Sequence, residues 1–241
     1  MHSLYKVGQP KPLTQTEITH IEQTVDFPLP VDYKDFLTQY GYGEINELLM
    51  VETPDEKFIQ NNFSDYMHFW EWEENDTLQK TLNGLTIGRT IDGDIVVIIN
   101  NPANPIIILP RHSQLPLFFL SFQAVIQYYN ITYELGNNLY FDTDDNAVRK
   151  YISLHADNRP DHSLMAKLHQ TFLEKFIFDR KFDRALNFDK QPKYIIQKIG
   201  GWIYFDLLSG GAIRVKYQSR FDNEANHLIN FLDNFMAQYG G

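Results

Sequence analysis

Two aspartates flank a single glycine at Asp92-Gly93-Asp94, directly before an apolar segment. A carboxylate pair at this spacing can bind a metal ion or share the roles of general acid and base. The same residues can also form a turn, in which Gly93 takes a positive φ angle and the aspartates accept hydrogen bonds from main-chain amides. No third ligand or base lies at a readable spacing, so the sequence favours the turn.

A second acidic segment, Asp142 to Asn146, imitates the start of an EF-hand calcium loop. Asp142, Asp144 and Asn146 stand at its first, third and fifth positions. The sixth position requires glycine for a sharp turn, and the twelfth requires a bidentate glutamate. These positions hold Ala147 and Ser153 instead. The sequence therefore predicts an acidic turn and no calcium site.

The histidines and the absence of cysteine limit the remaining chemistry. The chain has 8 histidines and 0 cysteines, which excludes disulfides, thiolate catalysis and Cys-ligated zinc. His162 and His169 can share one helix face, but no carboxylate lies at ligand spacing, so we interpret them as surface residues. No phosphate-binding loop, GxGxxG motif or GxSxG elbow occurs. We expect no catalytic residues, no metal site and no cofactor.

One segment combines aromatic rings with carboxylates in the way that protein interfaces do. We call residues 69–76 the acidic–aromatic segment. Its candidate partner-binding residues are Phe69, Trp70, Glu71, Trp72, Glu73, Glu74 and Asp76. The rings provide anchors, while the acids steer a partner and pair with Lys or Arg. The alternative is that Phe69 and Trp70 are core residues and the acids are their solvated side. Both interpretations can hold together.

The sequence predicts two amphipathic helices before this segment. Thr14 and Glu17 have the spacing of a capping box, which predicts a helix start. Pro30 suits the first turn of a second helix, where its missing N–H costs nothing. The apolar stripe of that helix is formed by Tyr33, Phe36, Leu37 and Tyr40, and Gly41 and Gly43 end the helix.

Short apolar segments after the helical pair predict a sheet, and the C-terminal half has its own helices and strands. The predicted strands are Leu48–Val51, Lys57–Ile59, Leu85–Ile87, Asp94–Ile99 and Ile106–Leu109, followed by a helix that Ser121 caps. The C-terminal half predicts a helix at Asp161–Phe178, a strand at Tyr194–Ile199, a hairpin at Trp202–Tyr217 and a helix at Asp222–Tyr239. In that hairpin Arg214 and Lys216 alternate with apolar residues, which predicts a solvated face carrying both cations.

Three segments in this order resemble the SUKH superfamily, which includes fungal regulators of cell-wall glucan synthesis and many bacterial immunity proteins. The resemblance covers about residues 13–133. The matching motif residues are Leu29, Pro30, Tyr33, Phe36, Leu37 and Gly41, then Gly88, Asp92, Gly93 and Asp94, then Ser121 and Phe122. The resemblance implies structural roles for them, and binding rather than catalysis. The wholly apolar strand Ile95–Ile99 departs from the polar strand of many relatives. We expect that strand to be deeply buried, with the C-terminal region as a candidate cover.

Composition and charge narrow the classes of partner. The 241 residues carry a net charge of −10, which repels nucleic acid and anionic membranes and attracts basic proteins. An acidic surface also serves solubility alone. The beginning of the chain lacks the pattern of a signal peptide, and no apolar run reaches the length of a membrane span. We expect a cytoplasmic protein that binds neither nucleic acid nor membranes.

These observations predict an α+β fold. We expect helices packed on a twisted, mainly antiparallel SUKH-like sheet in residues 1–134, and a C-terminal helix-sheet-helix extension or second domain in residues 135–241. The resemblance implies a non-enzymatic protein-binding module. Our first hypothesis is an immunity protein that neutralises a cognate, basic bacterial toxin by direct binding. The alternatives are a regulatory or scaffold protein of cell-wall synthesis and an enzyme of unrecognised type.

Overall fold

A computed structural model describes residues 4–156, 159–184 and 188–239 of the chain. The chain forms two compact units. The N-terminal unit contains Met1–Tyr5, Pro10–Thr132 and Leu139–Thr143. The C-terminal unit contains Lys6–Gln9, Tyr133–Asn138 and Asp144–Gly241.

An eight-stranded sheet forms the centre of the N-terminal unit in the described part of the chain. Its strands are β1 (Tyr5–Val7), β2 (Gly43–Ile45), β3 (Leu49–Asp55), β4 (Leu85–Thr90), β5 (Ile95–Ile98), β6 (Ile106–Leu109), β7 (Leu117–Phe119) and β8 (Tyr140–Thr143). Their order across the sheet is β1-β8-β2-β3-β4-β5-β6-β7. Consecutive strands from β2 to β7 pair antiparallel, as do β2 and β8. β8 comes later in the chain than every other strand of this sheet, yet it lies inside the sheet, between β1 and β2.

Helices cover this sheet, and the local sequence explains where two of them begin, through a capping box before α1 and a proline before α2. They are α1 (Gln15–Thr24), α2 (Val31–Gln39), α3 (Phe58–Phe63), α4 (Asn75–Leu82) and α5 (Phe122–Thr132). At the start of α1, Thr14 Oγ1 accepts from the Glu17 N–H at 3.3 Å, and Glu17 Oε2 accepts from the Thr14 N–H at 2.7 Å. α2 begins directly after Pro30.

Aromatic rings fill the core that α2 and α5 make with β8. Phe36 is fully buried, and its ring lies 4.9 Å from Tyr40, 5.0 Å from Phe122 and 5.7 Å from Phe141, measured between ring centroids. The Phe36–Tyr40 pair is stacked and the other two are edge-to-face, and both arrangements add to the free energy gained from burial alone. The α2 stripe that the sequence predicts therefore packs as a core.

A second cluster covers β5 and β6, which are buried along their whole lengths. It joins alternate strand residues to side chains from α3 and the segment after it: Ile59, Met67, Trp70, Ile95, Val97, Ile99, Ile107 and Leu109. Phe58, Phe63, Trp72, Leu78 and Leu82 pack against this cluster. Since successive side chains of a strand face opposite sides, a strand buried on both faces must be apolar throughout. One face of the apolar Ile95–Ile99 segment, that of Ile95, Val97 and Ile99, is thus covered from within the N-terminal unit.

The C-terminal unit has its own sheet and helices. Its strands are β9 (Ala147–Ser153), β10 (His155–Ala156), β11 (Arg159–Pro160), β12 (Arg180–Arg184), β13 (Phe188–Ile196), β14 (Gly201–Asp206) and β15 (Ala212–Gln218), and its helices are α6 (His162–Lys175) and α7 (Asp222–Tyr239). Five strands form an antiparallel sheet in the order β12-β13-β14-β15-β9, and β10 pairs with β11. Both helices contribute to one core with alternate strand residues, including Leu168, Phe172, Phe205, Ile213 and Leu232.

The predicted α+β class is confirmed, with antiparallel sheets and a C-terminal extension of helices and strands. Some local predictions are wrong. Lys57–Ile59 is not a strand, because Phe58 and Ile59 begin α3 and Ile59 is buried in the second cluster. The strand predicted at Tyr194–Ile199 ends at Ile196, and a short 3-10 helix follows it.

Candidate functional site

The acidic–aromatic segment links a 3-10 helix at Ser64–Phe69 to α4. Trp70 is buried, and its indole N–H donates to the Pro110 carbonyl oxygen at 2.9 Å. Trp72 is partly buried, and its indole N–H donates to the Met67 carbonyl oxygen at 2.8 Å. Phe69 is exposed and lies edge-to-face against Trp70, with 5.5 Å between ring centroids. One ring of the segment thus belongs to the core and another is available to a partner.

The carboxylates of the segment face solvent. Glu71, Glu73, Glu74 and Asp76 are exposed. The main-chain N–H of Glu71 donates to the Gln114 carbonyl oxygen at 2.8 Å, which ties the backbone of the segment to the loop before β7. The segment therefore places several carboxylates at the surface on a backbone that this hydrogen bond holds in position.

Charge is distributed unevenly between the two units. The N-terminal unit has 6 Lys and Arg against 18 Asp and Glu, a formal charge of −12. The C-terminal unit has 15 Lys and Arg against 13 Asp and Glu, a formal charge of +2. The excess negative charge of the chain therefore lies in the N-terminal unit, which carries the acidic–aromatic segment.

The Asp92-Gly93-Asp94 sequence forms a turn between β4 and β5, and Gly93 has a φ of 92°. Asp94 Oδ1 accepts from the main-chain N–H of Arg111 at 3.0 Å, and Asp94 Oδ2 accepts from the Tyr129 hydroxyl of α5 at 3.1 Å. This carboxylate thus joins the turn to α5 and to the end of β6. Among the described residues, no group of three or more His, Asp and Glu side chains is placed to hold a metal ion.

The other residues of the resemblance occupy structural positions. Gly41 has a φ of 74°, and a methyl group there would overlap the main-chain oxygen of Lys11. A methyl group at Gly88 would likewise overlap the main-chain oxygen of Met50 on the neighbouring strand. Ser121 Oγ accepts from the Ala124 N–H at 3.1 Å, near the start of α5. Pro30 is partly buried, and the apolar members are buried: Leu29, Tyr33, Phe36, Leu37 and Phe122.

The acidic turn before β9 provides charge compensation within the C-terminal unit. Lys216 is buried, and its ammonium nitrogen lies 3.3 Å from Asp144 Oδ1, a carboxylate that Arg149 also contacts. Burial alone raises the pKa of the Asp144 carboxyl, but Lys216 and Arg149 outweigh it and hold that pKa below its usual value. The prediction of a solvated Lys216 is therefore wrong, whereas Arg214 is exposed as predicted.

His169 is also partly buried, with Nε2 2.7 Å from the Tyr194 hydroxyl oxygen, so the surface position predicted for it is wrong.

Comparison with known proteins identifies the N-terminal part of the chain. A family model described as SMI1 / KNR4 family (SUKH-1) matches residues 12–128. This segment belongs to the SUKH superfamily. SUKH domains are generally non-catalytic modules. The family match supports a module of this type in the chain. No curated protein and no solved structure matches the chain.

Two further features bear on the SUKH domain. No helix within the described ranges combines the length and apolarity needed to cross a membrane. Exposed apolar side chains also lie at and around β7, and no motif predicts them, although their signal is present in the sequence. That signal is the segment Ser113–Tyr133, which contains no Asp, Glu, Lys, Arg or His.

Proposed function

We propose that this SUKH protein is a cytoplasmic immunity protein that neutralises a cognate bacterial toxin by direct binding. The observation that carries the proposal is the −12 charge of the SUKH-containing unit, with exposed carboxylates on the acidic–aromatic segment. A basic toxin domain is the complementary partner, since opposite fields accelerate association and select the partner. The toxin is inhibited when its active site or an essential surface is covered.

The geometry of the acidic–aromatic segment supports this role. Trp70 fixes the segment to the sheet, and Phe69 next to it is exposed. An exposed ring with exposed carboxylates a few residues away in the chain fits the general form of protein interfaces, in which an apolar centre has a polar rim. Glu73 and Glu74 lie directly before α4 and contribute to that rim.

The proposed interface predicts a specific dependence on salt and on charge. Raising the salt from about 0.05 to 0.5 M shortens the Debye length and weakens the attraction between exposed charges. We expect the double variant Glu73→Lys/Glu74→Lys to lower the association rate and the affinity by about tenfold or more.

A matched control separates the local surface from the total charge. Asp26 and Asp35 are also exposed acids of the N-terminal unit, located after α1 and on α2. Asp26→Lys/Asp35→Lys changes the net charge by the same amount as the first double variant. Equal losses for the two variants would show that the acidic–aromatic segment is not the interface.

The decisive experiment is a co-expression rescue. A candidate toxin domain, taken from the C-terminal segment of any large reading frame next to this gene, is induced in a naive host, with and without this protein. We expect growth to be restored, and we expect a catalytically inactive toxin segment to form a tight complex at low salt. A toxic segment that is neither neutralised nor bound contradicts the proposal. Recovery of wall-synthesis enzymes in a pull-down would then favour the regulatory alternative.

A further inference from the structure

β7 is an edge strand of the N-terminal sheet, and its two faces have different surroundings. Phe118 lies directly opposite Ile107 of β6, so both side chains are on the same face of the sheet. Ile107 belongs to the cluster that contains Trp70. The neighbouring Phe119 contacts Tyr128 of α5 on the opposite face, with 5.4 Å between ring centroids. The Phe118 ring, 43 % exposed, therefore lies on the face against which the acidic–aromatic segment packs its Trp70.

Main-chain hydrogen bonds show which groups of β7 point outward. In an antiparallel pair of strands, opposite residues alternate between hydrogen-bonded and non-hydrogen-bonded pairs. The Ile99 N–H donates to the Pro105 carbonyl oxygen at 2.9 Å, and with the register of β5 and β6 this directs the main chain of Ile107 towards β5. The main-chain N–H and C=O of Phe118 then point away from β6, to a side on which no described strand lies. Another chain can bond these two groups by adding a strand.

The acidic–aromatic segment lies close to this edge. The Glu71 N–H donates to the carbonyl oxygen of Gln114, and Leu115, next in the chain, is 58 % exposed. Between Gln114 and Phe118 the chain spans at most about 14 Å. A standard interface covers about 800 Å² of each partner, which corresponds to a disc about 30 Å across. One partner of ordinary size can therefore contact the acidic–aromatic segment and Phe118 at the same time.

Charge decides which kind of chain fits this edge. No Asp, Glu, Lys, Arg or His occurs from Ser113 to Tyr133. The nearby acids Glu71, Glu73 and Glu74 are exposed. The N-terminal unit carries −12, so an acidic chain, including a second copy of this one, is repelled there. A basic chain is attracted, and its Lys and Arg side chains find carboxylates with which to pair.

We propose that β7 pairs with an extended segment of the basic toxin, an inference that rests on the proposed function and specifies the contact. One residue of the toxin segment exchanges two main-chain hydrogen bonds with Phe118, and its side chain lies beside the Phe118 ring. Residues on the same face of a strand are about 7 Å apart, so Lys or Arg further along the segment reaches the carboxylates. β7 has only three residues and follows Pro116, which lacks an N–H, so the strand pairing is short. The ring and the carboxylates therefore provide much of the affinity.

The first test measures binding of the full-length protein to the catalytically inactive toxin segment at about 0.05 M salt. Phe118→Lys should weaken binding by about tenfold or more, mainly through faster dissociation. The matched control is Val31→Lys, which adds the same charge to the same unit. Val31 is 70 % exposed at the start of α2, a helix that packs with α5, and its replacement should leave dissociation unchanged. Circular dichroism and thermal unfolding confirm that each variant folds.

Hydrogen exchange of the Phe118 N–H, followed by NMR, tests the strand pairing itself. In the free protein this N–H points out of the sheet and exchanges readily with solvent. In the complex it should exchange at least about tenfold more slowly. The Phe119 N–H points towards β6 and is the internal reference, because it is hydrogen-bonded in both states.

The outcomes separate this inference from the proposed function. If the toxin segment binds Phe118→Lys as tightly as the unchanged protein, or if Phe118→Lys and Val31→Lys lose affinity equally, β7 is not the contact and the proposed function still stands. A loss of affinity in Phe118→Lys without protection of the Phe118 N–H contradicts the strand pairing. If the toxin segment does not bind the unchanged protein, the proposed function fails and this inference fails with it.

Discussion

The Asp94 carboxylate provides a quantitative test of the structural interpretation of the Asp92-Gly93-Asp94 turn. Asp94→Ala removes two hydrogen bonds, one from the Arg111 N–H and one from the Tyr129 hydroxyl. A hydrogen bond to a charged group contributes about 1.5–3 kcal/mol, and partial exposure of this site favours the lower part of that range. We therefore expect the free energy of unfolding of the N-terminal unit to fall by about 2–4 kcal/mol.

Urea unfolding monitored by tryptophan fluorescence measures this loss. Trp70 and Trp72 belong to the N-terminal unit and Trp202 to the C-terminal unit, so a Trp202→Phe background restricts the signal to the N-terminal unit. Tyr129→Phe removes one of the two bonds and should cost about 1–2 kcal/mol. Asp94→Asn keeps an acceptor oxygen and should lose less than the alanine variant.

The double variant decides whether the two groups act together. If Asp94 and Tyr129 stabilise each other, the loss in Asp94→Ala/Tyr129→Phe must be smaller than the sum of the two single losses. Additive losses, or a loss below about 0.5 kcal/mol for Asp94→Ala, would refute the assignment of this carboxylate as the support of α5.

Three further predictions concern single residues in the two units. Trp70→Phe should destabilise the N-terminal unit by about 1–3 kcal/mol in urea unfolding, because a buried carbonyl oxygen loses its hydrogen-bond donor. Gly88→Ala should be far more destabilising in thermal unfolding than Gly136→Ala, since a methyl group overlaps main-chain atoms only at the first position. The lowered pKa of Asp144 contributes stability that is present above the pKa of the unfolded chain, about 4, and is lost as the pH falls through the lower folded value. Lys216→Met should reduce this acid-dependent loss, which urea unfolding of the C-terminal unit at about pH 7 and pH 3 measures.

Local patterns predicted the elements whose stability is largely local. The capping box at Thr14 and Glu17 and the apolar stripe of α2 are features of neighbouring residues, so the sequence was sufficient to find them. The start of α3 is an exception. The apolar pair Phe58-Ile59 is too short to distinguish the helical from the strand periodicity of apolar residues, so the sequence predicts a strand there. The helical state of α3 depends on the packing of Ile59 against the sheet.

The candidate site could be predicted only in part for a similar reason. The sequence allows the acidic–aromatic segment to face a partner, to pack into the core, or to do both. The exposure of its acidic side chains is expected because charged groups are costly to bury. The inward role of Trp70 depends on the Pro110 carbonyl, 40 residues away in the chain. The partner of Asp94 on α5 is 35 residues away. Pairings over such distances leave no periodic signal in the sequence.

The position of β8 in the sheet also determines when the N-terminal unit can complete its fold during synthesis. The family match ends at residue 128, yet β8 lies between β1 and β2, and Phe141 of β8 is fully buried against Phe36 and Tyr40. A nascent chain that has reached residue 134 contains the whole family match but leaves an open slot in the sheet. The N-terminal unit is therefore completed only after β8 has left the ribosome. Before that point, β2 presents an unpaired edge to chaperones and to other nascent chains.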